Sequence, residues 1–439
     1  ARQARAEGLG YAGREGGGKR MMWNQVEMGK VAEVVSGYGF PRECQGLTDE
    51  EFPFFKVGDM NLPGNEKYMT SITNTISGAT LKKLKAKPFP KGTIIFPKIG
   101  AAIATNKKRV LMQPSVVDNN VMGLIPKPHI NPWYLYYWML QFDLRSVSNI
   151  GPVPSMRKTE VERVIIPLPP LSEQRRIVEI LDQADALRKK RAEADAKAAR
   201  ILPALFYKMF GDPATNPTGW DQKPFDLAFE DCTAQFPKLQ RNAYQVTGRF
   251  PVVDQGKELV AGYCDDESLV THVANPVIVF GDHTRIVKYV DFPFVAGADG
   301  SRVFAAKEGF LPAFLAMQLE LQPIPNLGYS RHMREVRRLR FIAPPASLQR
   351  RYAERAESIR PLLKAQTSCR DNIESIWQTL LHHAFTGYLT AKWREAHMKE
   401  LLAEMEHQAK ALKIDDFRSP IEEDYKSSII NHQSEIPHD

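Results

Sequence analysis

Two stretches of the sequence look like catalytic or cofactor-binding motifs. Gly13–Lys19 imitates a phosphate-binding loop, but Arg20 stands where such a loop needs Ser or Thr for magnesium, and no apolar strand precedes it. Asn131–Tyr134 differs by one residue from the Asn-Pro-Pro-Tyr motif that holds a target amino group for methyl transfer, and no glycine-rich cofactor loop accompanies it. We therefore predict no chemistry at either stretch and interpret Asn131–Tyr134 as the start of a helix with an aromatic core face.

Acidic residues, histidines and cysteines show no hydrolytic or metal-binding pattern in the sequence. Asp195–Lys197 and Asp221–Lys223 fit a short acidic-x-Lys nuclease signature, but this pattern arises often by chance and metal-dependent hydrolysis needs further carboxylates. His382 and His383 are adjacent on a predicted helix, where neighbouring positions do not face one another. We therefore predict no catalytic residue, no bound metal and no cofactor on this chain.

The charge of the chain favours a polyanionic partner. Its formal net charge is +8, and basic residues in predicted loops are the candidates for contact with nucleic acid. Which of them neutralise phosphates and which read bases depends on placement, so a solvated loop remains an alternative for each. The predicted DNA-binding residues are Lys98, Lys107, Lys108, Arg109, Arg157, Lys158, His283, Arg285, Lys288, Tyr329, Arg331 and Arg334.

The order of patterns along the chain predicts two mixed domains, each followed by a long helix. In the first domain Gly92–Pro97 is a predicted strand and Trp133–Phe142 a predicted helix; in the second, Val277–Phe280 is a predicted strand. The predicted segments are a flexible leader (1–20), domain 1 (21–170), a central spacer helix (171–211), domain 2 (212–345), a C-terminal spacer helix (346–390), and an amphipathic helix with a loose tail (391–439).

Both predicted spacer helices carry an apolar stripe at helical spacing, which needs a partner. We predict that they pair as a coiled coil through Ile177, Leu181, Ala184, Ile359, Leu363 and Ile376. Ser172 is the predicted cap of the first helix. The last amphipathic stretch, Trp393–Leu412, is expected to pack on this coil, with docking of a partner as the alternative.

An internal repeat explains this alternation of domains and helices. A shift of 175 residues places Pro169 on Pro344, Ser172 on Ser347, and Gln174–Arg176 on Gln349–Arg351. The expected fold is therefore α+β, with two α/β domains joined by two helices in an antiparallel coiled coil with an approximate two-fold axis. About 38 helical residues would span about 57 Å, the length of about 17 base pairs of DNA, which suits two short sites with a fixed gap.

The repeated segment also resembles a known family. Ile166–Ile177, followed by a charged helix, resembles the central spacer of type I restriction-modification specificity subunits, and Gly37–Pro41 resembles the start of their target-recognition domains. Phe280–Thr284 resembles the middle of such a domain, and Ala384–Gly387 is similar to the end of these proteins. The second repeat departs from the family at Leu348, where an acidic residue is usual.

The four cysteines are widely scattered and show no metal-ligand spacing, which fits a reducing cytoplasm. The resemblance implies a non-catalytic DNA-binding subunit, in which each recognition domain reads one half of a bipartite target. The helices would dock two methyltransferase subunits, which carry S-adenosylmethionine, and a separate motor-nuclease subunit would use ATP and magnesium. Two alternatives remain open: a bifunctional DNA methyltransferase or nuclease, and a coiled-coil scaffold without a role on DNA.

Overall fold

The protein is described from a computed structural model, which covers residues 23–149, 151–271, 276–298 and 300–414. The predicted leader, the phosphate-loop-like stretch and the predicted loose tail lie outside these residues. The described chain divides into two compact units. Unit 1 extends to Arg188 and resumes at Glu374, and unit 2 is Lys189–Ile373.

The first domain, in unit 1, is built around a sheet with strand order β2-β9-β6-β7-β4. A second sheet has the order β5-β3-β8, and β1 pairs antiparallel with β10, so the two ends of the domain meet. The strands are β1 (Asn24–Glu27), β2 (Ala32–Ser36), β3 (Phe52–Phe55), β4 (Tyr68–Met69), β5 (Thr75–Ile76), β6 (Ile94–Pro97), β7 (Arg109–Leu111), β8 (Val116–Val117), β9 (Val121–Pro126) and β10 (Ile165–Leu168).

The helices of this domain are α1 (Met28–Val31), α2 (Gly78–Lys83), α3 (Pro132–Gln141) and α4 (Lys158–Glu162). The sequence prediction is confirmed for β6 and for α3. The Asn131 side chain accepts hydrogen bonds from the backbone N–H groups of Trp133 and Tyr134, so the methyltransferase-like motif is a helix cap. Residues 134–139 are all buried, as expected for a helix that is apolar on every side.

The central spacer consists of two helices, α5 (Leu171–Ala198) and α6 (Ile201–Phe210), and not of one. Pro203 has no N–H to bond to the Ala199 carbonyl, which accounts for the break between them. The predicted cap is also wrong, because α5 begins at Leu171 and Ser172 lies within its first turn. The Ser172 N–H instead donates to the Glu404 carboxylate at 3.1 Å.

The second domain, in unit 2, repeats the order of elements of the first. Its central sheet has strand order β12-β20-β17-β18, a further sheet has the order β13-β19-β14-β15 with β16 on β19, and β11 pairs antiparallel with β21. The strands are β11 (Gln222–Pro224), β12 (Phe229–Asp231), β13 (Lys238–Leu239), β14 (Phe250–Val253), β15 (Gly262–Cys264), β16 (Val270–Thr271), β17 (Val277–Gly281), β18 (Val287–Val290), β19 (Phe294–Gly297), β20 (Ser301–Ala306) and β21 (Arg340–Ile342).

Its helices α7 (Phe225–Ala228), α8 (Pro312–Glu320) and α9 (Met333–Val336) correspond to α1, α3 and α4. In each domain an outer strand, a short helix and a first sheet strand follow one another, and a short helix precedes the last strand. The repeat found in the sequence is therefore a duplication of a whole domain.

The C-terminal part of the chain contains α10 (Ala346–Thr386), α11 (Ala391–Ala396) and α12 (Met398–Leu412). The part of α10 from Glu374 onward runs antiparallel to α5 within unit 1: Arg188 bonds Glu374 at 2.6 Å, whereas Glu173, near the other end of α5, accepts from Thr390 at 2.6 Å. In unit 2, Arg191 donates to the Gln366 carbonyl, and the aromatic rings of Phe206 and Phe210 pack on Tyr352. Helix pairing is thus antiparallel in each unit.

Five of the six residues of the predicted stripe are at least half-buried. Ile177 and Leu181 are fully buried in the core of unit 1 with Ala184 packed beside them, and Ile359 and Leu363 in unit 2 are half-buried. Ile376 is the exception, because 58% of its surface is exposed. Trp377 takes its place, stacking on the Arg188 guanidinium with 4.5 Å between that group and the ring centroid. The large ring of Trp377 can bury more apolar area than the side chain of Ile376. The buried face of the helix is therefore centred on position 377 and not on position 376.

The stretch Trp393–Leu412 packs on unit 1, as expected, with Leu401, Met405 and Ala409 buried. None of the helices that the structure describes combines the length and the apolar character needed to span a membrane.

Candidate nucleic-acid interface

In unit 2 the end of strand β17 is held against the loop that leads into α9. Asp282 is buried, and one of its carboxylate oxygens accepts hydrogen bonds from the N–H groups of His332 and Met333 at 2.8 Å each. His332, also buried, returns a bond through Nδ1 to the Asp282 carbonyl, while its Nε2 accepts from the Leu327 N–H. Four bonds to one aspartate and one histidine thus fix the loop on the strand end.

His283, the next residue after this anchor, supports an exposed tyrosine. The Tyr329 ring lies on the His283 imidazole with 4.8 Å between centroids and 12° between planes, and His283 Nδ1 bonds the Tyr329 carbonyl at 2.9 Å. Arg285 donates to the Ile324 carbonyl at 3.0 Å and so holds the other end of the loop. The fold therefore joins two groups of predicted DNA-binding residues that are far apart in the sequence. His283 contacts Tyr329, and Arg285 bonds the same loop at Ile324. Arg331 lies exposed on this loop.

The equivalent place in unit 1 is the end of strand β6 beside the loop that leads into α4. The Met156 N–H donates to the Lys98 carbonyl at 3.0 Å, and the Gly100 N–H donates to the Pro154 carbonyl at 2.7 Å. Arg157 and Lys158 follow immediately and are exposed, while Lys98 is half-buried. The structure thus brings together Lys98, Arg157 and Lys158, as it does their counterparts in unit 2.

Lys107, Lys108 and Arg109 lie elsewhere in the first domain, and Lys108 is not a surface residue. It is 99% buried, since 1% of its surface is exposed, and its ammonium donates to the Phe142 carbonyl at 2.6 Å and to Asn106 Oδ1 at 2.8 Å. Burial lowers the pKa of Lys108 to about 7, with the nearby Asp143 carboxylate acting in the opposite direction. Arg109 donates to the Met60 and Lys108 carbonyls, and burial lowers its pKa as well. Lys107 bonds Asn61.

Lys288 in unit 2 is a second buried lysine. Its ammonium donates to the Asp254 carbonyl at 2.7 Å and also bonds the Glu258 carbonyl, and burial lowers its pKa although Asp254 raises it. The basic residues predicted from sequence therefore differ in their surroundings. Lys108, Arg109, Arg285 and Lys288 donate to backbone carbonyls. By contrast, the exposed residues are Arg157, Lys158, Arg331 and Arg334.

The first domain and most of the helix that follows it match a known protein family. Residues 21–195 match the family model described as "Type I restriction modification DNA specificity domain". Residues 21–195 are therefore similar to a type I restriction-modification DNA specificity domain. The resemblance seen in the sequence is thereby confirmed.

Individual relatives agree with this assignment. The chain is 27% identical to the type I restriction enzyme MjaIX specificity subunit of Methanocaldococcus jannaschii over 56% of this chain and 60% of that protein, so the match spans less than two thirds of the length of this relative. The crystal structure of the type I restriction-modification system S subunit from M. genitalium matches with a TM-score of 0.50 at 12% identity, over 84% of this chain and 98% of that one. The likeness to a specificity-subunit structure confirms the α+β fold class.

The motif that identifies the specificity domain has a structural role that sequence analysis did not assign. Gln174 accepts from the Asn131 N–H and donates to the carbonyls of His129 and Pro169. Gln349 does the same in the second repeat with the Leu311 N–H and the carbonyls of Gly309 and Pro344. Each glutamine joins the start of a spacer helix to the start of the domain's buried helix, and the repeated Gln-Arg-Arg spacing was the signal that could have revealed it.

The neighbouring Glu173 of the specificity domain explains the departure at Leu348. Glu173 is fully buried and accepts from Trp23 Nε1 at 2.9 Å, Thr390 Oγ1 at 2.6 Å and Arg394 Nε at 2.7 Å. It therefore fastens the C-terminal segment to unit 1 and has no capping role. Leu348 instead packs against an apolar cluster in unit 2 that includes Phe206 and Tyr352.

The remaining motif candidates have ordinary surroundings in the described part of the chain. Asp195 pairs with Arg191 at 2.6 Å along α5, and His382 and His383 are both exposed on α10. Among the described residues, no group of three or more histidine, cysteine, aspartate or glutamate side chains is placed to hold a metal ion.

Proposed function

We propose that the chain is the sequence-specific DNA-binding subunit of a type I restriction-modification complex. Each domain would read one half of a bipartite double-stranded target. One observation carries this proposal: both domains place an equivalent strand end beside an equivalent loop, and both loops carry exposed basic residues, Arg157 and Lys158 in one and Arg331 in the other. Phosphate contacts by such residues make affinity depend on salt.

The partners follow from the same proposal. The spacer helices would dock two methyltransferase subunits, which bind S-adenosylmethionine, and motor-nuclease subunits would supply ATP- and magnesium-dependent cleavage. This chain would contribute position and sequence recognition, without a catalytic group or cofactor of its own, in the cytoplasm. The family match over residues 21–195 and the specificity-subunit relative support this assignment.

A domain exchange tests the proposal. A duplex target is selected from a randomised pool by the full-length chain bound to its methyltransferase, and its protected bases are mapped. Residues 23–165 are then replaced by the first domain of another specificity subunit. We expect the wild-type complex to protect two short sequences separated by a gap, and the exchange to change only one of them. The reverse exchange, of residues 212–345, is the matched control and should change only the other.

Two results would contradict the proposal and favour its alternatives. Methyl transfer by the isolated chain in the presence of S-adenosylmethionine would indicate a bifunctional enzyme. Failure to retain any duplex at low salt would indicate a scaffold without a role on DNA. Protection of one uninterrupted sequence would exclude bipartite reading.

A further inference from the structure

The loop before α9 presents an aromatic ring in an unusual way. Tyr329 is 83% exposed, although tyrosines generally bury their rings, and one face of its ring is covered by the His283 imidazole. The other face is open to solvent. The hydrogen bond from His283 Nδ1 to the Tyr329 carbonyl orients the imidazole under the ring, so the pair forms a flat, supported platform.

Hydrogen bonds of neighbouring residues hold this platform in place. The adjacent Asp282 and His332 are buried and bond each other's backbone and side chains, and Arg285 fixes the start of the loop through the Ile324 carbonyl. Gly300 also packs closely against His283, because a Cβ atom at this position would come within 2.6 Å of His283 Cδ2. A ring held in place before binding loses little conformational entropy when a ligand contacts it.

The charges around the platform separate two kinds of arginine. Arg337 pairs with Asp226 at 3.3 Å, and Arg338 pairs with Glu335 at 3.1 Å, so these two are neutralised within the domain. Arg331 and Arg334 are exposed, and among the described residues no carboxylate lies within ion-pair distance of either. Exposed cations in the loop and in the helix that follows it, together with an exposed aromatic face, suit a ligand that carries both phosphates and bases, as DNA does.

We propose that Tyr329, supported by His283, contacts a base of the second half-site directly, while Arg331 and Arg334 neutralise adjacent phosphates. This inference rests on the proposed function and adds separate roles for residues of this loop and of the helix α9 that follows it. Tyr329 supplies sequence discrimination through contact of its ring with a base edge in a groove, where sequence is read, and the two arginines supply affinity that does not depend on sequence. His283 is a positioning residue that acts through Tyr329.

Three duplexes separate these roles: the selected bipartite target, the same duplex with the second half-site scrambled, and an unrelated duplex. We expect Tyr329→Ala to weaken binding to the intact target by about 5- to 150-fold, the loss that follows when one base of a duplex site is no longer matched, without weakening the other two. Tyr329→Phe keeps the ring that contacts the base edge and should stay within about threefold of wild type. Arg334→Ala should weaken all three duplexes alike and reduce the slope of log affinity against log salt by about 0.9.

Two controls make the outcome decisive. Tyr388→Ala removes another exposed tyrosine beside a histidine, outside both candidate surfaces, and should leave discrimination unchanged. Protection of the first half-site by Tyr329→Ala, together with an unchanged circular dichroism spectrum, reports that the variant is folded. Equal affinity of Tyr329→Ala and wild type for the intact target would overturn the inference, as would an equal loss on all three duplexes. If wild type itself does not distinguish the intact target from the scrambled one, the proposed function fails instead.

Discussion

Replacement of Glu173 by glutamine tests how the C-terminal segment is attached to unit 1. The carboxylate is fully buried, and its Arg394 partner is 2% exposed, so water screens neither charge. The shortest distance from the Arg394 guanidinium to a Glu173 carboxylate oxygen is 2.7 Å. Glutamine has the same shape, but it leaves a buried guanidinium without a counter-charge. Its amide nitrogen must also face the donor groups of either Trp23 or Thr390.

The magnitude follows from this geometry. Two unit charges 2.7 Å apart attract by about 6 kcal/mol at an effective dielectric constant of about 20. Part of this attraction remains, because the amide oxygen of glutamine still accepts a bond and Arg394 keeps its bond to the Gly387 carbonyl at 2.8 Å. We therefore expect Glu173→Gln to lower the free energy of unfolding of unit 1 by about 3–5 kcal/mol, as removal of one member of a buried ion pair does.

Intrinsic fluorescence during urea unfolding measures this change. All tryptophans except Trp220 lie in unit 1, and Trp23 bonds Glu173 directly, so the signal reports mainly on that unit. Glu179→Gln is the matched control in the same helix. Its carboxylate is about half exposed and pairs with Arg176 on the surface, so we expect a change within about 0.5 kcal/mol. Hydrogen exchange of Thr390–Leu412 should increase in the Glu173 variant only.

A double-mutant cycle tests the cause. Arg394→Met alone leaves a buried carboxylate and should cost a similar amount, whereas the combination with Glu173→Gln should cost less than the two single changes together by at least about 1 kcal/mol. If Glu173→Gln does not fold, Thr390→Val removes one bond to Glu173 and should cost about 1 kcal/mol. Unfolding of Glu173→Gln within 1 kcal/mol of wild type, or strict additivity in the cycle, would refute the reasoning.

Three further predictions concern buried and exposed side chains. Because burial lowers the pKa of Lys108 to about 7, the unfolded chain binds more protons than the folded chain between about pH 7 and 10.5. Stability should therefore rise by about 2 kcal/mol from pH 7 to 9, and Lys108→Met should abolish this rise in urea unfolding at the two pH values. An equal pH dependence in both proteins would show that the lysine titrates normally. Gln349→Ala removes three hydrogen bonds and should destabilise unit 2 by about 2–4 kcal/mol, measured by hydrogen exchange of the buried helix α8 (Pro312–Glu320). The exposed Gln240→Ala in the same unit is the control, and equal protection of α8 in both variants would contradict the role given to Gln349. Under the proposed function, the double variant Arg157→Ala and Lys158→Ala should reduce the slope of log affinity for DNA against log salt by up to about 2. Filter binding between about 50 and 200 mM salt measures this slope. The folded Lys288→Met variant is the control and should leave the slope unchanged.

The duplicated architecture could be predicted from the sequence because its signals are local. The repeat of Gln174–Arg176 at Gln349–Arg351 lies where a spacer helix begins, and such a start is specified by residues within a few positions. Apolar residues at helical spacing predicted the packed positions Ile177 and Leu181 in the same way. The strand β6 and the helix α3 were recognisable for the same reason, since periodicity and flanking prolines report on backbone conformation directly.

The environment of each basic side chain was decided only by tertiary structure. Lys108 and Arg157 both look like cations of surface loops in the sequence. Lys108 is buried because its ammonium bonds the Phe142 carbonyl, 34 residues away. Arg157 is exposed, and no residue near it in the sequence indicates this difference. The choice between Ile376 and Trp377 depended likewise on Arg188 and Tyr137 across the packed face.

Glu173 illustrates the limit most clearly, because its partners Trp23, Thr390 and Arg394 come from both ends of the chain. Spacing along a sequence determines which face of a helix is apolar. It does not determine which distant groups will satisfy a buried charge, since that depends on chain segments that meet only when the whole unit has folded.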